Sequence, residues 1–232
     1  LMCGIVGFIE KKYFNAEKAK SIIKKMTDSM FHRGPDDSGF WMDNKNKLAL
    51  GHRRLSVIDV SKAGLQPMSS SNSRFVIVFN GEIYNHKILR KQLEVLNKSP
   101  AWNGNSDTET VLACVEVWGL EKSLEKFVGM FAMAIWDKKN SELFLARDRF
   151  GEKPLYYGIC GDTFVFSSEL KAINLHPSFD NKIDKGALCL YMRHNYVPTP
   201  YTIFKNIFKL RPGTYLKIGK NEKPKNYWSL EK

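Results

Sequence analysis

Apolar and polar positions along this 232-residue chain switch between two periods. Residues 3–10, CGIVGFIE, are a short β-rich apolar run ending at charge, which predicts a buried strand. Ala19, Ile22, Ile23, Met26 and Met30 then recur at helical spacing and predict an amphipathic helix over 16–31. The turn-rich stretch HRGPDDSG ends it. Strands are expected at 47–58 and 74–79, and a second helix is marked by Ile88, Leu89, Leu93 and Leu96. In NSDTETVLACVEVWG the pattern predicts a helix opened by a capping box, with Ser106 capping the Glu109 amide and Glu109 reaching back. Alternating strand-like runs separated by turns fill 131–169, and beyond 182 come a short helix, the proline-bearing YVPTPYTIF and a lysine-rich end. Runs of strands with separate flanking helices argue for α+β with largely antiparallel sheets rather than strict βαβ alternation.

Composition narrows the class. Hydrophobic content of 43% and charged content of 26% are those of a globular protein large enough for a full core. The longest uncharged apolar run, 128–136, falls far short of the ~20 residues of a membrane helix. No basic start or small-residue cleavage site precedes it, so a cytoplasmic location and no membrane partner are expected. The cysteines at 3, 114, 160 and 189 form no CxxC pair, which suggests neither a zinc site nor a disulfide scaffold. The net charge of +12 raises nucleic-acid binding as a rival, but no basic block interleaves with aromatics. Half of that excess lies from Lys205 onward, in a stretch that reads as a linker or interdomain surface, so no nucleic-acid partner is expected.

Four features carry chemistry. Cys3 is either a buried strand cysteine or a nucleophile. A thiol pKa near ~8.5 and an α-amine near ~7.7–8.0 allow proton transfer between them at neutral pH, if Cys3 is the N-terminus. Asn80-Gly81 in FNGEIYN reads ordinarily as a tight hairpin turn. Alternatively, the Asn80 amide and the Gly81 N–H are two donors able to converge as an oxyanion hole, with glycine allowing the approach. In GHRRLSVID two adjacent strand arginines point to opposite faces, one to solvent and one to a pocket, where a guanidinium fork suits a carboxylate. Asp107, in the first turn of its helix, favours the helix N-terminus and is also able to bind an ammonium group.

Taken together, MCGIVGF, HRGPDDSG, GHRRLSVID, QPM, FNGEIYNH, SDTE, GMFAMAIWD, ARDRFGEKPLYY and SSELKA resemble the glutaminase (class II glutamine amidotransferase) domain of glutamine-hydrolysing asparagine synthetases. The resemblance runs continuously over 2–172 and more loosely beyond. It implies the N-terminal-nucleophile hydrolase fold, a four-layer αββα sandwich with two largely antiparallel sheets. It implies Cys3 as nucleophile, Asn80 and Gly81 as oxyanion donors, Arg54 as clamp of the glutamine α-carboxylate, Asp107 as acceptor of its α-ammonium, and Glu82 in the same binding loop. HRGPDDSG and RDRFGEKPLYY are expected to be mainly architectural, and His32 and His52 unnecessary as bases. The implied domains are an amidotransferase domain over 3–190 and an extension over 191–232 leading to a synthetase domain outside this chain. ATP and Mg²⁺ are expected only for that synthetase half; the glutaminase half needs no cofactor and no metal. Glutamine and the synthetase domain are the expected partners, with homo-oligomerisation left open. Leu1 is read as a processing leftover and Met2 as the initiator, so the form bearing both is expected to keep its fold with little or no glutaminase activity. Rivals are a catalytically silent glutamine-binding domain and ammonia supply for amidation of a sugar or other carboxylate.

Overall fold

The computed structural model describes residues 2–12, 14–219 and 223–230. Leu1 lies outside the described residues. The strands are β1 (Gly4–Glu10), β2 (Asp37–Asp43), β3 (Leu48–Arg54), β4 (Met68–Ser69), β5 (Phe75–Ile83), β6 (Gly129–Asp137), β7 (Glu142–Arg147), β8 (Tyr156–Cys160), β9 (Thr163–Ser167), β10 (Ile207–Lys209), β11 (Thr214–Lys217) and β12 (Lys225–Asn226). The helices are α1 (Ala16–Asp28), α2 (His86–Val95), α3 (Asp107–Trp118), α4 (Leu120–Lys126), α5 (Leu170–Ile173) and α6 (Lys185–His194). Among the described residues the strands form two six-stranded sheets, ordered β10-β8-β9-β1-β3-β2 and β12-β11-β7-β6-β5-β4. Their central pairings are antiparallel, for example β1 with β3 and β9, and β5 with β6.

Strand alternation explains the layering, because successive side chains point to opposite faces. Ile5, Leu48, Leu50, Val76, Val78, Ala134, Trp136 and Phe166 point inward and fill the space between the sheets. Their neighbours point outward. Val6, Phe8, Ala49 and Val165 meet Ala19, Ile23 and Met26 of α1. On the other sheet Phe75, Ile77, Phe79 and Met133 meet Leu89 and Leu93 of α2 and Val111 and Leu112 of α3. The result is helix, sheet, sheet, helix, the four-layer αββα sandwich expected.

Several local expectations are corrected. Helix α1 stops at Asp28, and β3 ends at Arg54 rather than continuing to 58. Residues 55–64 instead form a loop with one 3₁₀ turn at Lys62–Gly64. Strand β2 forms from DSGFWMD, whose polar start reads as loop. Asn80-Gly81 is no hairpin turn: it lies inside β5, paired with Ala132 and Phe131 of β6. The capping box is also replaced. Ser106 Oγ accepts the Thr108 N–H at 3.1 Å, while Glu109 reaches the Asn103 N–H at 2.8 Å and so fastens the preceding loop. Segment 191–232 lends β10 to one sheet and β11 and β12 to the other.

Candidate active site

The inward parity of three strands assembles the site at one end of the inter-sheet layer. Cys3 continues the inward register of Ile5; His52 and Arg54 continue that of Leu48 and Leu50; Asn80 continues that of Val76 and Val78. Cys3, Arg54, Asn80, Gly81, Glu82 and Asp107, the six residues singled out from sequence, line one cavity of about 210 Å³. Met2, Asp59, Gln66, Thr108 and Lys153 line it too.

Cys3 stands at the head of a central strand. Arg33 Nε donates to its carbonyl oxygen at 2.9 Å, and the Leu55 N–H donates to its Sγ at 3.3 Å. Burial pushes the thiol pKa up, opposed by the Leu55 N–H and by the positive charges of Arg54 and Arg33. The resting sulfur is therefore a thiol poised beside groups that favour its anion.

Asn80 is 1% exposed, and its Nδ2 finds no hydrogen-bond partner among the described residues. An orphaned buried donor costs free energy, so one aimed into a cavity marks a place where a ligand acceptor belongs. Gly81 supplies the second donor by strand geometry. The N–H groups of Phe79 and Ile83, two residues either way, are bonded on the side of β5 away from β6, to Gln66 Oε1 at 2.6 Å and Asp107 Oδ2 at 2.9 Å. The Gly81 N–H shares that direction, toward the cavity. Glycine is needed here for space: its φ is not positive, but an added Cβ would collide with the Met130 carbonyl oxygen and the Phe131 backbone.

Arg54 is held by the loop it precedes, its Nη2 donating to the carbonyls of Asp59 and, at 3.0 Å, Ser61. Arg53 faces the other way, as alternation requires, but it does not reach solvent. It is buried under the Phe31 ring and donates to Gly34 O at 2.9 Å. Asp59 carries the tie across to the far wall, its Oδ2 accepting the Asn105 N–H at 2.9 Å just ahead of α3.

Asp107 opens α3 and is 4% exposed. Its Oδ2 takes the Ile83 N–H and its Oδ1 the Thr108 N–H, both at 2.9 Å. Burial raises its pKa to about 6, those two bonds oppose the rise, and the Glu82 carboxylate adds to it. A cation docked between Asp107 and Glu82 would relieve this.

Sequence reasoning missed Gln66, Asp59 and Lys153. Gln66 belongs to the QPM motif and Lys153 to RDRFGEKPLYY, so the motifs were visible while the roles of these side chains were not. Lys153 is buried and its Nζ meets Met2 Sδ at 3.0 Å, so that motif reaches the cavity and is more than architectural. His32 pairs with Glu169 at 2.9 Å and is largely exposed. His52 is fully buried, and burial pushes its pKa down to about 4. Among the described residues no cluster of His, Cys, Asp or Glu is arranged to hold a metal ion.

A cysteine heading a central strand of an αββα sandwich and sharing a cavity with a buried amide donor fits the N-terminal-nucleophile architecture. The chain belongs to the glutamine amidotransferase domain family, whose model matches residues 2–228. It is 41% identical over 218 residues to asparagine synthetase [glutamine-hydrolyzing] 1 of Bacillus subtilis (strain 168), covering 94% of this chain and 33% of that protein. Asparagine synthetase [glutamine-hydrolyzing] 3 of the same organism is 38% identical over 237 residues, covering 99% of this chain and 37% of that protein. The chain thus spans well under half the length of these curated relatives. The solved glutamine phosphoribosylpyrophosphate amidotransferase from B. subtilis, complexed with ADP and GMP, superposes with a TM-score of 0.69 over 97% of this chain and 49% of its own, at 21% identity. That likeness speaks for the fold alone. No helix among the described residues is long and apolar enough to cross a membrane.

Proposed function

We propose that this domain hydrolyses glutamine to glutamate and ammonia through a γ-glutamyl thioester on Cys3. The observation that carries the reading is the convergence of a thiol, an orphaned buried amide donor, a guanidinium and an under-bonded buried carboxylate on one small cavity. Arg54 binds the α-carboxylate of glutamine, while Asp107 with Glu82 binds its α-ammonium. The substrate is thereby fixed at its amino-acid end, with the side-chain amide set toward Cys3.

Because burial keeps the sulfur protonated, attack needs a base in contact with it. With Leu1 and Met2 removed, the α-amine of Cys3 itself fills that role. The amine takes the thiol proton as sulfur bonds to the amide carbon. Negative charge then moves to the oxygen, held by the Asn80 side chain and the Gly81 N–H. The carbon–nitrogen bond breaks, and ammonia leaves with the proton held by the amine. Water, deprotonated by the same amine, attacks the thioester and releases glutamate and the thiol. We further propose that, as in the relatives' names, the ammonia serves ATP-dependent asparagine synthesis in a part of a longer protein beyond this chain, to which ATP and Mg²⁺ belong.

The test is glutamate release from glutamine by two proteins, one beginning at Leu1 and one at Cys3. Release by the Cys3 form alone is the expected result. Equal turnover by the form verified to begin at Leu1 would remove the α-amine from the mechanism, and a folded Cys3 form that binds glutamine without hydrolysing it would make this a binding domain.

A further inference from the structure

We infer that His52 and Gln66 are positioning residues that grip the Phe79 peptide from two sides and thereby aim the Asn80 and Gly81 donors. The inference rests on the glutaminase reading for its kinetic consequences, but its geometry stands on its own. Strand β4 pairs with β5 only at Met68 with Ile77 and Ser69 with Val76. Continued by the same register, the ladder would bring residue 66 opposite Phe79, yet the main-chain pairing stops short of it. Side chains take over there. Gln66 Oε1 accepts the Phe79 N–H at 2.6 Å, in place of a strand carbonyl. His52 Nε2 lies 3.0 Å from the Phe79 carbonyl oxygen, in place of a strand N–H.

The carbonyl has no proton to give, so Nε2 must carry the hydrogen, which fixes the imidazole tautomer. The ring comes from β3 of the opposite sheet, and its complete burial keeps it neutral. Phe79 is thus held by one side chain from the opposite sheet and one from the loop that leads into β4. Gln66 reaches further, its Nε2 donating to Thr108 Oγ1 at 3.4 Å, beside Asp107. One amide therefore spans from the donor strand to the start of the helix that carries the ammonium site.

The grip matters because Phe79 immediately precedes both donors in the chain. Its carbonyl belongs to the same peptide plane as the Asn80 nitrogen, so fixing that carbonyl fixes how Asn80 leaves the strand. Among the described residues the Asn80 Nδ2 has no partner to orient it, and the Gly81 N–H lies at the open strand edge beyond β4. Both donors inherit their aim from the backbone that His52 and Gln66 hold. A misplacement of ~1 Å at such donors costs on the order of 10²-fold in rate.

The experiment uses the protein beginning at Cys3 with three substitutions: Gln66→Met and His52→Leu, which remove the grip, and His52→Gln, which returns a donor at similar reach. For the first two, kcat falls roughly 10- to 100-fold while KM changes by less than about threefold. His52→Gln recovers most of the loss. Inhibition by the aldehyde analogue of glutamine, whose addition to the Cys3 thiol forms a tetrahedral oxyanion, weakens in step with kcat, while glutamate affinity holds. Amide hydrogen exchange at Phe79 accelerates in Gln66→Met without a matching fall in global stability. An unchanged kcat overturns the inference. So does a fall in kcat matched by falls in glutamate affinity and denaturation midpoint, the mark of a packing role alone. Should His52→Leu fail to fold, Gln66→Met, at the cavity wall, decides alone. A folded parent protein without glutamine turnover refutes the function proposed above, and Phe79 exchange together with the amide signals of Asn80 and Gly81 still tests the grip.

Discussion

Two buried aspartates stand on opposite sides of the β5–β6 pair, and the same chemistry serves opposite ends in them. Asp148, just after β7, is fully buried and saturated with donors. Its Oδ1 takes the N–H groups of Phe150 and Glu152, and its Oδ2 those of Phe131 and Lys153, at 2.9–3.1 Å. Its main-chain oxygen takes the Gly151 and Gly213 N–H groups, so one residue ties the adjoining loop to β6 and to the C-terminal segment. Asp107 takes only two N–H groups, keeps a face on the cavity and sits beside Glu82. A saturated carboxylate acts as a fastener. An under-bonded one, its pKa raised by burial to about 6, is placed to serve the ammonium contact proposed above.

Substitution of each aspartate separates the two roles, and the largest effect belongs to the fastener. Asp148→Ala leaves four N–H groups without their carboxylate partner, of which those of Phe131 and Lys153 are buried and cost ~1–3 kcal/mol each before relaxation. The expected loss is ~3–5 kcal/mol, read as a lowered denaturant midpoint with the slope retained. Asp107→Asn keeps the shape and loses the charge. Glutamine affinity should fall ~10- to 100-fold, the worth of one hydrogen bond to a charged group, while stability falls by no more than about 1 kcal/mol. If Asp107→Asn destabilised the fold as severely as Asp148→Ala, the distinction would collapse.

Titration sharpens the contrast further. Only ionised Asp107 attracts an ammonium, so glutamine affinity should decline below about pH 6, approaching tenfold per pH unit, and this dependence should vanish in Asp107→Asn. For the unliganded protein the sign is reversed. A carboxyl whose pKa is raised on folding contributes stability that is fully present below its unfolded value near ~3.9 and is lost as pH rises through about 6. Between about pH 4 and 6, denaturation of the substituted protein should therefore lack part of the slope seen in the parent.

The antiparallel α+β character was legible in short-range pattern, whereas the four layers and the grouping of the site residues were legible only through the motifs that carry the family resemblance. Alternation in GIVGFIE and FVIVF set two faces for each strand, and the motif residues lay close to strand ends or, for Asp107, at a helix start. What stayed hidden depends on partners distant in the chain. Asn80-Gly81 carries the residues of a tight turn, and only the continuous pairing with β6 keeps it extended, with Gly81 demanded by the approach of Met130 and Phe131. The helix start at Ser106 has the letters of a capping box, but Glu109 is drawn to Asn103 and Gly104 by the loop that Arg90 also holds. Strand β2 forms from a polar stretch because β3 offers it an edge, and β10 and β11 because β8 and β7 do. Gln66, His52 and Lys153 act through contacts that neither spacing nor composition encodes.

The position of β1 carries a consequence for how the protein comes into being. Val6 pairs with Gly51 on one side and Ser167 on the other. Strand β1 is thus completed only by β9, which seven other strands separate from it along the chain. Loop closure over such a separation is slow, so the strand that bears Cys3 is flanked on one side only until β9 is made. On the function proposed above, a partly made domain would carry a loosely held thiol, and turnover would wait for the second flank of β1.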